Sequence, residues 1–97
     1  MVIGSLTVRL LVRESRTLKD KRQVVQSILA RLRAGFNVSA AEVDTHDDVK
    51  VITLGFATVG FETAAVQHVL QEIAEALRKH PVAEYLGSET SVGHEVV

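Results

Sequence analysis

The spacing of apolar residues changes along this chain, and that change limits the folds open to it. From Val2 to Arg13 the period is two. Val2, Leu6, Val8, Leu10 and Val12 point one way, and Ser5, Thr7, Arg9 and Arg13 the other, as on a half-buried strand. Ile3 and Leu11 fall on the second face, which is therefore mixed rather than fully wetted. From Leu18 the period becomes helical. At about 100° per residue, Leu18, Val25, Ile28, Leu29 and Leu32 gather on one stripe, with Val24 at its edge. Thr17 is suited to cap the helix start, with Asp20 three residues later in a capping-box position. Gly35 suits the position just past the last turn, where Phe36 would fold back onto Leu32 in a Schellman closure. The predicted helix runs from about Leu18 to Ala34.

The remaining segments repeat the change of period. Residues 37–43 are a strand candidate carried by Val38 and Val43. The polar turn Asp44-Thr45-His46-Asp47-Asp48 follows, and then a β-branched, apolar strand from Val49 to Val59. Ile52, Leu54 and Phe56 share one face of that strand; Val51, Thr53, Gly55, Ala57 and Val59 share the other. Two strands joined by a short polar turn make an antiparallel hairpin. A second helix begins at Gly60-Phe61-Glu62-Thr63, with Glu62 or Thr63 near the cap. Val66, Val69, Leu70, Ile73 and Leu77 form its stripe, and His80-Pro81 stops it. A last strand is expected over about 86–96. The order β-α-β-β-α-β over residues 1–97 predicts one α+β domain of ferredoxin-like type, a four-stranded antiparallel sheet with both helices on one face. The open face would carry Ile3, Thr7, Arg9, Leu11, Val51, Thr53, Ala57 and Val59.

Composition excludes several classes. The 97 residues are 46% hydrophobic with one proline, which suits a packed core rather than a disordered chain. No cysteine is present, so there is no disulfide, thiolate metal site or cysteine nucleophile. There is no signal-peptide pattern and no run of 18 apolar residues, so a soluble cytoplasmic domain without a membrane segment is expected. No phosphate-binding glycine loop, dinucleotide fingerprint, G-x-S-x-G or H-E-x-x-H occurs, and no cofactor is expected. The acidic turn around His46 and the His68/Glu72 pair have metal-ligand residue types without enough convergent donors, so no metal is expected either.

The net charge of −1 conceals an asymmetry. Residues 1–33 hold eight cations and two anions; residues 34–97 hold three cations and ten anions. The cations concentrate at the start of the first helix, where the macrodipole disfavours them. Lys19, Arg22, Gln26 and Arg33 share one side of that helix, whereas Lys21 points along the apolar stripe. With four free amides at a helix start, Arg13, Arg16, Lys19, Lys21, Arg22 and Arg33 are the candidate residues for binding an anion or RNA. The competing reading is internal pairing with Glu14, Asp20 or an acid from the second half. A second candidate surface is the open sheet face. It carries no strand aromatic for base stacking, as an RNA-recognition motif requires. Its small apolar side chains suit a two-fold homodimer through Ile3, Leu11, Val51, Ala57 and Val59. An acylphosphatase-like activity would need a glycine-rich loop with an arginine before the first helix and a strand asparagine. Arg16 and Asn37 are present, but the loop Arg13-Glu14-Ser15-Arg16-Thr17 has no glycine.

Several stretches carry a resemblance to a known family. They are Met1-Val2-Ile3-Gly4, Ser15-Arg16-Thr17-Leu18-Lys19-Asp20-Lys21-Arg22, the run from Arg33 to Val43, Thr53-Leu54-Gly55, and His80-Pro81-Val82-Ala83-Glu84. Nearly end to end the chain resembles the bacterial YlxP-like family, whose function is unknown; the Leu-Lys-acidic-Lys-Arg run is the most specific piece. Where that family usually carries an aromatic after the acidic turn, this chain has Val49. The resemblance implies a ferredoxin-like fold. Genes of the family often lie among those for transcription, translation initiation and ribosome maturation, which implies an accessory role on ribosomal RNA or the ribosome.

Overall fold

The computed structural model of the chain describes residues 1–95. Strand β1 (Val2–Leu11) leads into helix α1 (Leu18–Gly35), the hairpin of β2 (Ser39–Asp44) and β3 (Val51–Gly60), helix α2 (Thr63–Arg78) and β4 (Glu84–His94). The strands form one sheet in the order β2-β3-β1-β4, antiparallel throughout. The predicted α+β, ferredoxin-like arrangement is the fold that forms. Strand β4 begins two residues earlier than expected, and Val96, placed in that strand from the sequence, lies outside the described residues.

Even-numbered residues of β1 and β3 face the helices. Leu6, Val8, Leu10, Ile52, Leu54 and Phe56 join Val25, Ile28 and Leu32 of α1 and Val66, Leu70, Ile73 and Leu77 of α2 in one core. Because one set of strand residues meets both helices, both lie on the same face. Gly4 lets α2 approach that face: a side chain there would run into Val66 and Leu70.

The C-terminal end of α1 differs from the Schellman closure predicted around Gly35. Gly35 completes the helix, no described glycine has a positive φ, and Phe36 caps with extended backbone while its amide donates to Leu32 O. Phe36 packs against the core from that extended conformation and leads directly toward β2, so no left-handed residue is needed. At the other end of the molecule His80 orders the α2–β4 connection. Its Nδ1 accepts hydrogen bonds from the amides of Val82 and Ala83, at 3.2 and 3.0 Å. Arg78 pairs with Glu75 and stacks on the Tyr85 ring, 4.7 Å from its centroid.

The opposite face of the sheet is not covered by the helices. Across it Ile3 pairs with Val59, Ser5 with Ala57, Thr7 with Gly55, and Arg9 with Thr53. Ile3, Ala57 and Val59 are exposed, and Leu11 and Val51 half-buried. Thr53, expected among the open-face residues, is enclosed at 5% exposure because its hydroxyl meets that of Thr45 at 2.9 Å.

Candidate functional site

The head of α1 is built by its own capping residues. Thr17 Oγ1 accepts the Asp20 amide at 3.0 Å, and Asp20 Oδ2 accepts the amides of Thr17 and Arg16 at 3.2 and 3.1 Å. The Arg16 amide above all, helped by the Thr17 contacts and Lys19, holds the Asp20 carboxyl below its usual range against the opposing effect of desolvation. An acidic side chain of the chain itself therefore lies at the entrance of the helix, and it eases the conflict between clustered cations and the macrodipole.

The structure separates the six candidate cations into groups. Lys21 is removed from the surface altogether: its side chain is fully enclosed. Helical spacing from Val25 and Leu18 already aims it at the core face. There its ammonium donates to Thr45 O at 2.6 Å, Val51 O at 3.2 Å and His46 O at 3.4 Å. Glu42 Oε2 lies 3.2 Å from the same nitrogen, off the hydrogen-bond direction, so that contact is coulombic; among the described residues this buried oxygen has no hydrogen-bond partner. An ammonium has three protons to donate, and here they meet carbonyls of the β2–β3 turn. The expectation that Lys21 belongs to an anion-binding surface is thus corrected: it ties α1 to that turn.

Thr45 shows what the tie holds. It is the one described non-glycine residue with a positive φ, at 57°, a costly conformation for a β-branched residue. That backbone turns its carbonyl onto Lys21. Lys50 makes a parallel tie on the outside, donating from Nζ to Ser15 O at 2.8 Å and to Arg13 O at 2.5 Å. Two lysines thus fasten the hairpin turn to the β1–α1 region. Asp48 accepts the amides of Lys50 and Val51, both at 2.8 Å, and His46 Nε2 donates to Glu42 O at 3.1 Å. The acidic turn is engaged in its own backbone.

Arg33, near the far end of α1, donates to Ala40 O and so braces the helix against β2. Arg13 pairs with Glu84 of β4 at 2.9 Å, both side chains largely exposed. Arg16, Lys19 and Arg22 remain at the surface, and their side chains make no ion pair among the described residues. Arg16 and Asn37 stand at opposite ends of the 18-residue α1, about 27 Å apart along its axis. The structure does not bring that acylphosphatase-type pair together. Phe56, at 2% exposure, belongs to the core and offers no stacking surface.

A family model described as a protein of unknown function (DUF503) matches residues 3–90. The chain belongs to the DUF503 family. It is also similar to the uncharacterized protein YlxP of Bacillus subtilis (strain 168), at 28% identity over 83 residues, covering 86% of this chain and 90% of that protein. In this DUF503 chain the run Leu18–Arg22 divides by helical phase into an internal anchor, Lys21, and two surface cations, Lys19 and Arg22. Sequence reasoning missed Glu42 and Lys50 as partners in this region. The position of Lys21 on an apolar stripe was a signal that something buried must receive its charge; which residues do so depends on the turn's path.

Proposed function

We infer that this DUF503 protein is a non-catalytic accessory factor that docks RNA phosphates on the outer side of α1, ribosomal RNA or ribosomal particles being the intended target. The observation that supports this reading is the exposed set Arg16, Lys19 and Arg22, without ion-pair partners among the described residues, whereas Lys21 pairs with Glu42, Arg13 with Glu84, and Arg33 donates to the Ala40 carbonyl. Arg33 continues the same side about 21 Å further along the helix, at 1.5 Å per residue. The Arg16, Thr17 and Asp20 amides are already taken by the capping side chains, so phosphates would be held mainly by the side chains. The ribosomal target rests on the gene company of the YlxP-like family.

Binding of this kind is salt-dependent, because each neutralised phosphate releases counterions. The test is the binding of the wild type and the Arg16→Ala/Lys19→Ala/Arg22→Ala variant to purified ribosomal RNA and particles across a salt series. The expected result is a slope of log K against log salt smaller by about 2 for the variant, at roughly 0.7–0.9 per lost contact. Equal affinity and equal slope for the two proteins would reject the reading.

A further inference from the structure

Six of the seven large apolar side chains that stand exposed among the described residues lie on or at the rim of the uncovered sheet face. Ile3 and Val59 face each other across β1 and β3 at 41% and 56% exposure, with Met1 and Phe61 continuing the two strands beside them at 57% and 93%. Val43 and Leu86, at 52% and 50%, sit at irregular points of the two edge strands. Between these groups the face carries the short side chains of Ser5, Thr7, Ala41 and Ala57, and Val43 reaches inward over Gly55. Contiguous exposed apolar surface with a flat centre marks a contact site. The face also holds three charges without ion-pair partners among the described residues, Arg9 on β1, Asp44 on β2 and Glu89 on β4.

We propose that this face binds a second copy of the chain, sheet to sheet, about a two-fold axis running along the strands between β1 and β3. The register decides the occupant. Such an axis lays β1 of one copy over β3 of the other, and β4 over β2. Ile3 then meets Val59 of the partner, and Met1 meets Phe61. Leu86 arrives over Val43, so the apolar residue exposed by irregularity on one edge covers its counterpart on the other. Arg9 pairs in register with Thr53, and Thr53 with Asp44. Laid over Thr53 of the partner, Arg9 comes beside the partner's Asp44, and the symmetry makes the same contact twice. The apolar groups and the Arg9 and Asp44 charges are therefore complementary to their own images, as an isologous interface requires, while Glu89, level with Thr7, Gly55 and Ala41, falls over the second copy's edge strand at Ala41. The small central residues let two sheets approach to the usual separation of about 10 Å.

The size is sufficient for a stable but not obligate dimer. Strands of 10, 6, 10 and 11 residues, at about 3.4 Å per residue and about 4.8 Å apart, cover roughly 600 Å² per copy, the lower end of the roughly 600–1,000 Å² per partner of a standard interface. The outer side of α1 faces away from the contact, so dimerisation and RNA binding are separately measurable.

Sedimentation velocity of the full chain from 1 to 100 µM is the deciding experiment, with circular dichroism to confirm folding. The expected result is a dimer for the wild type and a monomer for Val59→Asp. Arg9→Asp should weaken association at least tenfold, and Arg9→Asp with Asp44→Arg should restore it. Because the chain has no cysteine, Ser5→Cys can be cross-linked by a short bis-maleimide, and Glu75→Cys on the outer side of α2 serves as control. Cross-linking through residue 5 and not residue 75 is expected, and it holds even if an aspartate variant fails to fold. A monomer throughout the range, or a dimer that cross-links equally at both positions and ignores Arg9→Asp, would overturn the proposal.

Discussion

Lys19 and Lys21 stand two residues apart on the first turn of one helix, and the structure gives them opposite environments. Lys19 is exposed and without an ion-pair partner, whereas Lys21 is fully enclosed with three carbonyls and a carboxylate around its ammonium. Two residues are about 200° of helical arc, so one faces water when the other faces the sheet. Residue type and local charge density are the same for both. Helical phase alone decides which lysine is available to a ligand and which closes the fold.

Substitution separates the two lysines most clearly. Lys21→Met keeps much of the side chain's volume but leaves Glu42 as a buried, uncompensated charge beside unpaired carbonyls. The expected loss is about 3–5 kcal/mol, a fall in Tm on the order of 15–30 °C for a domain this size. Lys19→Met should change stability by less than about 0.5 kcal/mol. Thermal and urea melts of the two variants measure both; comparable losses would mean that burial does not separate them. Combining Lys21→Met with Glu42→Leu should recover at least half of the loss, because an apolar replacement of both partners removes the stranded charge.

A smaller effect is expected at the cap, which serves both lysines by starting the helix. Thr17→Ala should cost about 1 kcal/mol without altering the salt dependence of the proposed RNA binding. Urea titration gives the first quantity and the binding series the second.

The smallest effects are those of pH, and they report on the surface rather than the buried tie. Asp20 is held below the carboxylate value of 3.8 first by the Arg16 amide, and Asp48 first by the Val51 amide. Each contributes stability that is complete above that value and lost as pH falls through the depressed folded one. Asp20→Asn should flatten the acid limb of a Tm-against-pH curve. His80 acts at higher pH. Burial, with Arg31 as the lesser cause, holds it below 6.5, and its Nδ1 must stay unprotonated to accept two amides. Its contribution is therefore full above about 6.5 and declines as pH falls through the folded value. His80→Asn, which keeps an acceptor but does not titrate, should remove that decline.

Much of the architecture was legible because it follows from local periodicity. The parity of β1 separates Leu6, Val8 and Leu10 from Ser5, Thr7 and Arg9, and the structure buries the first set. The capping residues Thr17 and Asp20 were readable for the same reason, their partners being three residues away. Gly35 was misread: glycine after a helix is a frequent terminator, but the apolar contact of Phe36 with the core drew the backbone into an extended exit. The buried state of Thr53 was also missed, since it depends on the left-handed turn at Thr45 that swings a hydroxyl across the sheet.

What the sequence determined by itself is the element order, the two faces of each strand and the phase of the helices, because each rests on neighbours within a turn or a pleat. Helical phase even pointed Lys21 inward. Only the tertiary structure decided what that lysine does there. Its acceptors are 24 to 30 positions away in the chain, and an ammonium leaves water only where enough oxygens converge to replace its hydration. The same convergence left Lys19 and Arg22 at the surface, which is why the candidate site is narrower than the cluster of charge that suggested it.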